Sequence, residues 1–431
     1  MSLLSLLPIV IVFTGSYFLI KLRFFFISHP KSTLKFAFSG ENKKKAILSL
    51  TLALAGTLGV GNISGVAIGI AAGGAGSVFW LMLSAFFSSA IKYAEVFLSY
   101  RSGGSGMISV IEKSFNCGSV FFASLYAVIA VILSFSMGSV FQARAISESA
   151  GDFSFSGKLF LAIGLTAFTL FICILGKDKI KGAVAIIIPT AAVIYTGMCV
   201  SVILGNFNKL SSVIANVLKS AFSIESASGG ILGFLVSSSI KEGFARGLLS
   251  NEAGAGTSSF SHTSHIEDNG ISHTSTAINS DRLECERAGI FGILEVVFDT
   301  LLLCPLTALA ILLGYDGARF GGSLYELSGI FEKHLGSFAS ELLLTVIIFF
   351  AISTTLCWYY YGRVALKYLF GKRLILPFTA IFFFAFFSAL LIEIPHTLFI
   401  TDTALFLLSV ISISALIKNR ARLRFEDVLG K

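Results

Sequence analysis

The sequence predicts an all-α integral membrane protein with about eleven transmembrane helices in one polytopic domain. Three observations carry that expectation. Of the 431 residues, 55% are hydrophobic and only 13% are charged, whereas soluble globular chains carry about 25% charged residues. The apolar residues come in long continuous runs, not in ten-residue alternations. Helices and closed barrels are the two structures that satisfy every backbone polar group inside hydrocarbon, and this pattern selects the helix. The Lys and Arg residues fall mostly between the runs.

A span needs about 20 mainly apolar residues. In chain order the candidates are 2–20, 47–71, 76–99, 119–142, 158–175, 183–205, 229–249, 288–314, 339–366, 374–394 and 398–417. The first has no basic segment before it and no small-residue cleavage site, and reads as a retained span and not a signal peptide. The longest connection is 250–287, and no soluble domain is left over. With the N-terminus outside, 22 of the 32 Lys and Arg residues lie in inner connections or the tail, against 5 outside. Basic connections mark the cytoplasmic side. The expected placement is a plasma membrane of the bacterial inner-membrane type, with the basic tail 418–431 in the cytoplasm. The net charge of +8 is thereby a topology signal, and no nucleic-acid partner is expected. The six cysteines lie mostly inside apolar runs without a CxxC pair and read as core residues.

Eleven spans parse as one plus five plus five: an extra N-terminal helix, 2–20, a first five-helix repeat, 47–205, and a second, 229–417. Two such units of opposite topology form the inverted repeat of many secondary transporters, in which the first helix of each unit is broken at the bilayer midplane. Spans 2 and 7 carry the matching glycines: Gly56, Gly59, Gly61, Gly65 and Gly69 in one, Gly229, Gly230, Gly233, Gly243 and Gly247 in the other. Close helix packing is the competing use of the same glycines.

The break expected at Gly59-Val60-Gly61-Asn62 has a chemical consequence. Gly costs about 1 kcal/mol relative to Ala inside a helix, so local unwinding is cheap there. The freed N–H groups of Val60, Gly61 and Asn62, at the start of a half-helix, suit a carboxylate. The freed carbonyls near Ala55 and Leu58 suit Na⁺. Span 9 offers the complement in Ser353, Thr354 and Thr355, whose hydroxyls are hard ligands for a small cation unless they back-bond to their own helix. Glu295 and Asp299 share one face of span 8, and an intramembrane carboxylate is a candidate for cation coupling or a proton, with a packing role as the alternative. Lys92 and Glu95 read as a local ion pair at the inner end of span 3. Lys241, Glu242 and Arg246 are expected at the cytoplasmic end of span 7, where Arg246 could gate with Asn251 and Glu252. His262, His265 and His273 fall in a polar loop with Glu267 and Asp268, in no strong zinc spacing.

These residues carry a resemblance. Ala55 to Ala67 (AGTLGVGNISGVA), Lys92-Tyr93-Ala94-Glu95, Ala245 to Ser258 (ARGLLSNEAGAGTS), Glu295 to Thr300 (EVVFDT) and Ser353 to Gly362 (STTLCWYYYG) resemble, in order, the signatures of the alanine or glycine:cation symporter family, within the amino acid–polyamine–organocation superfamily. The resemblance implies a LeuT-type fold and Na⁺- or H⁺-coupled uptake of a small neutral amino acid by alternating access. It implies that Val60, Gly61 and Asn62 face the substrate carboxylate, that Gln142 meets its polar end, that Gly229 and Gly230 mark the second break, and that Thr354 and Trp358 line the pocket. It implies a Na⁺ site of carbonyls from Ala55, Leu58 and Phe350 with hydroxyls of Ser353 and Thr354. Val60 stands where most members carry Thr, and the loop beyond Ser258 departs from the family pattern.

No P-loop, GxSxG or HExxH motif is present, so neither ATP-driven transport nor an enzyme is expected, and no cofactor beyond the co-transported cation. An exchanger, a carrier of another small solute, or a sensor or channel on the same scaffold are the alternatives.

Overall fold

The computed structural model describes residues 3–38, 50–51, 54–103, 105–115, 118–151, 153–222, 238–268, 280–317, 319–423 and 425. Among them every regular element is helical. Seven helices are long and apolar enough to cross a membrane: α3 (Gly76–Ser102), α4 (Ser119–Ser149), α5 (Phe155–Ile174), α6 (Gly182–Gly205), α10 (Arg282–Gly314), α12 (Phe338–Phe370) and α14 (Thr397–Lys418). Three shorter apolar helices join them: α1 (Leu7–Lys21), α2 (Val60–Gly73) and α13 (Ile375–Leu391). Each falls on a run singled out from the sequence, because a continuous apolar run can close its hydrogen bonds only along itself.

Among the helices between these, four position the site or its surroundings. Helix α7 (Leu210–Ala221) follows α6. Helices α8 (Ser238–Asn251) and α9 (Ser258–Asp268) flank a non-helical stretch. Helix α11 (Leu324–Leu335) starts with a capping box, in which the Ser323 hydroxyl accepts from the Glu326 N–H and the Glu326 carboxylate accepts from the Ser323 N–H. Helix α5 starts on Ser154, whose hydroxyl accepts from the Gly157 N–H.

Helix α3 is the scaffold. It lies against α1, α8 and α10 along its length. Its approach to α8 is set by small residues: a Cβ on Gly243 would lie 2.6 Å from the Ser77 carbonyl oxygen and 2.5 Å from Trp80 Cβ. Helix α12 lies against α4 and α6 on the other side. Two of the long helices contain π-helical turns, Ser134–Phe141 in α4 and Val297–Leu303 in α10. Such turns are rare and occur often at functional sites.

The stretch after α8 departs from the sequence expectation of a long polar connection over 250–287. Asn251 through His262 are buried, and Ser258 begins a further helix. The chain here is one helix interrupted at 252–257. Glu252, Gly254 and Gly256 all take positive φ, 53°, 87° and 86°, which is the left-handed region that an α-helix cannot pass through. Gly229 and Gly230, where the sequence suggested a break, lie outside the described residues.

Two substitutions test this packing. Gly243→Val should lower the thermal unfolding temperature and folded yield of the purified protein, as overpacking typically costs about 1–3 kcal/mol. Gly256→Ala should do so as well, because its Cβ would lie 2.7 Å from Met107 Cγ at a φ that Ala disfavours. Wild-type stability in both variants would remove the constraint.

Candidate functional site

The second apolar segment breaks where its glycines cluster. Residues 54–57 are helical, Leu58 and Gly59 are not, Val60–Asn62 form one 3-10 turn, and α-helix resumes at Ser64. Val60, Gly61 and Asn62 are buried, so protein or solute must meet the peptide groups that the break releases. One is met by a side chain: the Val60 N–H donates to Gln142 Oε1 at 3.4 Å, and Gln142 Nε2 donates to the Met137 carbonyl at 3.1 Å. Gln142 directly follows the π-helical turn of α4, which aims it across the bundle.

Helix α12 walls the break from another side. A Cβ at Gly59 would lie 2.5 Å from Thr354 Oγ1. The Thr354 hydroxyl is buried without a hydrogen-bond partner among the described residues, as is that of Thr355. The Ser353 hydroxyl donates to the Phe350 carbonyl of its own helix at 2.9 Å, the back-bonding arrangement weighed from the sequence. Trp358 is fully buried, packs against Gly138 of α4, and leaves its indole N–H without a partner. Ala55 and Leu58 are buried on the near side of the break. The fold therefore gathers Val60, Gly61, Asn62, Gln142, Thr354 and Trp358 around one interruption, with two side-chain donors idle.

Asp299 completes the arrangement from below. Asn62 Nδ2 donates to its carboxylate. The Ser250 hydroxyl lies 2.8 Å from Asn62 Oδ1, 2.9 Å from Asp299 Oδ2 and 2.9 Å from Thr300 Oγ1, and Thr300 Oγ1 donates to Asp299 Oδ2 at 2.9 Å. Thr307 Oγ1 donates to the Asn62 carbonyl at 3.1 Å and accepts from Tyr195 at 2.9 Å. Asp299 and Thr300 sit in the π-helical turn of α10. This knot joins the first break to the last turn of α8, beside the interruption at 252–257. Among the described residues, no cation side chain pairs with Asp299.

Glu295 is placed otherwise. It is 3.7 Å from Lys92 Nζ and 2.5 Å from His262 Nε2, so it belongs to a buried charge cluster on the other interruption. Lys92 also donates to the Asn251 carbonyl at 2.8 Å. Glu95 accepts the Gly254 N–H at 2.9 Å instead of closing on Lys92 as a local pair. The Thr257 hydroxyl donates to Glu252, and Tyr126 donates to the Ala255 carbonyl at 2.8 Å. His262 is thus not in a solvated loop but buried in α9.

Arg246 does not meet Asn251 or Glu252. It is buried, pairs with Asp402 of α14, and lies 3.5 Å from Glu242 through its Nε. It packs on Gly69 of α2, between the break and a cavity of about 650 Å³ lined by Gly73, Gly74, Asn216, Ser220, Ser238 and Ser239, among others.

Sequence reasoning missed Ser250, Thr300, Thr307 and Asp402 as partners in these clusters. Asp402 was detectable as a lone carboxylate in an apolar span. The hydroxyls were not, because a Ser or Thr in a span usually bonds its own helix.

A multi-pass helical bundle in which an interrupted helix encloses idle polar groups at a buried site is the architecture of a membrane carrier. The family model for the sodium:alanine symporter family matches residues 1–421, and the chain belongs to that family. It is 31% identical over 376 residues to a protein of Haemophilus influenzae named an uncharacterized transporter, covering 84% of this chain and 78% of that one. The amino-acid carrier protein AlsT of Bacillus subtilis is 29% identical over 376 residues (84% and 75%). The sodium/alanine symporter AgcS of Methanococcus maripaludis is 27% identical over 413 residues (90% and 86%).

Removing one partner of a buried pair leaves the other charge uncompensated, at about 3–5 kcal/mol. Arg246→Leu should therefore sharply lower the thermal unfolding temperature in detergent, and Arg246→Leu with Asp402→Leu should recover part of the loss. A double variant no better than the single would show that the two do not act as a pair.

Proposed function

We propose that this protein is a Na⁺-coupled symporter of a small neutral amino acid such as alanine or glycine, working by alternating access in the plasma membrane. The observation that carries the reading is the interruption at 58–63. It places a row of peptide groups, Gln142 and the idle Thr354 and Trp358 donors around one buried point, with the Asp299 knot attached. The substrate carboxylate takes the N–H groups of Val60, Gly61 and Asn62 at the start of α2, where the helix dipole favours an anion. Gln142 meets the polar end of the substrate, and Thr354 and Trp358 line the pocket.

The co-transported Na⁺ takes the carbonyls of Ala55, Leu58 and Phe350 with the hydroxyls of Ser353 and Thr354. Asp299 supplies negative charge one step away. An unpaired buried carboxylate is costly, and a cation entering nearby relieves that cost; this is how cation binding can favour the arrangement that holds substrate. The names of AgcS and AlsT support the substrate class.

In this reading the break at 58–63 opens the first of two inverted five-helix repeats of a LeuT-type fold, Gly229 and Gly230 mark the break that opens the second, and α1 is the extra helix. The N-terminus is outside and the C-terminal tail is in the cytoplasm.

Uptake of labelled alanine and glycine into proteoliposomes, with Na⁺ and pH gradients imposed separately, tests the proposal. Na⁺-driven accumulation is expected; none with any small amino acid would sink it. Asp299→Asn should weaken the Na⁺ stimulation about tenfold or more, since about 1.4 kcal/mol is a tenfold change. Unchanged Na⁺ dependence in that variant would confine Asp299 to packing. Val60→Thr should keep transport and shift the alanine-to-glycine preference, because it adds a hydroxyl at the carboxylate end.

A further inference from the structure

The charge cluster on the second interruption plays no part in the binding reading above, and its charges do not balance. Lys92, Glu95, Glu252 and Glu295 are all 0% exposed, and His262 is 5% exposed. Among the described residues, the cations facing the three carboxylates are Lys92 and, when it carries its second proton, His262. Both are taken by Glu295, at 3.7 and 2.5 Å. Glu95 and Glu252 share the field of that same Lys92 without an ion-pair contact to it, and their hydrogen-bond partners are dipoles: the Gly254 N–H for one and the Thr257 hydroxyl for the other. Each keeps one oxygen, Oε1, buried without a hydrogen-bond partner.

The remaining groups facing them bring no positive charge. Asp299 of α10, Tyr126 of α4 and Cys357 and Tyr361 of α12 lie within electrostatic reach of Glu252. From α3, Lys92 faces both carboxylates and Glu95 faces Glu252, while Glu295 of α10 faces Glu95. Even with His262 charged, three carboxylates outnumber two cations before Asp299 is counted. A buried unpaired charge costs several kcal/mol and is ordinarily relieved by neutralisation.

We infer that Glu95 and Glu252 together bind one proton, taken from solvent onto a carboxylate oxygen, and that this proton is part of what holds segment 252–257 against α3. The position matters. Glu252 stands at φ 53° in the interruption itself, Glu95 holds the Gly254 N–H, and Lys92 holds the Asn251 carbonyl. Loss of the proton places a second uncompensated negative charge between the interruption and its scaffold and pushes them apart. Bound proton and closed packing are therefore linked: the folded arrangement is favoured at low pH and weakened as pH rises. The proton site stands on the charge count. Its consequence for transport, a pH-dependent release of segment 252–257, rests on the symport reading.

The test needs no transport. Thermal unfolding of the purified full-length protein is measured from about pH 6 to about pH 9, the range in which buried carboxylic acids are known to titrate. Wild type, Glu95→Gln and Glu252→Gln are compared. Each substitution removes the surplus carboxylate without altering shape, so each should flatten the fall in unfolding temperature that wild type shows with rising pH. Equal slopes in all three would overturn the inference. Should a variant fail to fold, infrared spectra of wild type alone decide: a protonated-carboxyl band at neutral pH that shifts in D₂O and disappears at high pH supports the site, and its absence overturns it.

Discussion

A helix that stops inside a bilayer releases peptide groups that water cannot reach, and everything else at the centre of this protein answers that constraint. Among the described residues two interruptions occur, at 58–63 and at 252–257. Their solutions differ. At the second, Lys92, Glu95, Tyr126 and Thr257 each take a backbone or side-chain group of the segment, while Glu95 and Glu252 each keep one oxygen without a partner. The first is met less completely by protein, through Gln142 at 3.4 Å, and lies beside hydroxyl and indole donors with no partner. A segment left partly unsatisfied is where an outside group gains most by binding.

The two interruptions are mechanically joined. Asn62 of the first and Ser250 at the edge of the second meet on the Asp299 carboxylate, with Thr300 as a further donor. A change at either is felt at the other through one buried carboxylate. Helix α3 gives both a fixed reference, since it packs closely on α8 and carries Lys92 and Glu95. The π-helical turns of α4 and α10 each place a side chain of the candidate site, Gln142 after one and Asp299 within the other. Both turns give up regular hydrogen bonding in exchange for that placement.

Much of this was legible in the chain. The apolar runs located the helices because composition alone decides what can sit in hydrocarbon. The Gly59-Val60-Gly61-Asn62 cluster located the first interruption because three glycines within six residues make unwinding cheap. The interruption at 252–257 was not legible for a physical reason, while the break expected at Gly229 and Gly230 lies outside the described residues. Polar residues in Ser250-Asn251-Glu252 read as a loop leaving the membrane, when they are polar because they are buried against Lys92, Asn62 and Asp299. Arg246 misled in the same way: a charge near the apparent end of a span suggests an interface, but Asp402 and Glu242 hold it inside.

The sequence by itself determined the class of structure, the family signatures and the first break, because these depend on local composition and spacing. Tertiary structure decided which charges are partners. Lys92 turned to Glu295 on another helix and not to Glu95 on its own, and Asp299 joined Asn62, which lies 237 residues away along the chain. In a buried, low-dielectric setting a polar group is stabilised by whatever complementary group the packing brings within reach, and spacing along the chain carries no record of that.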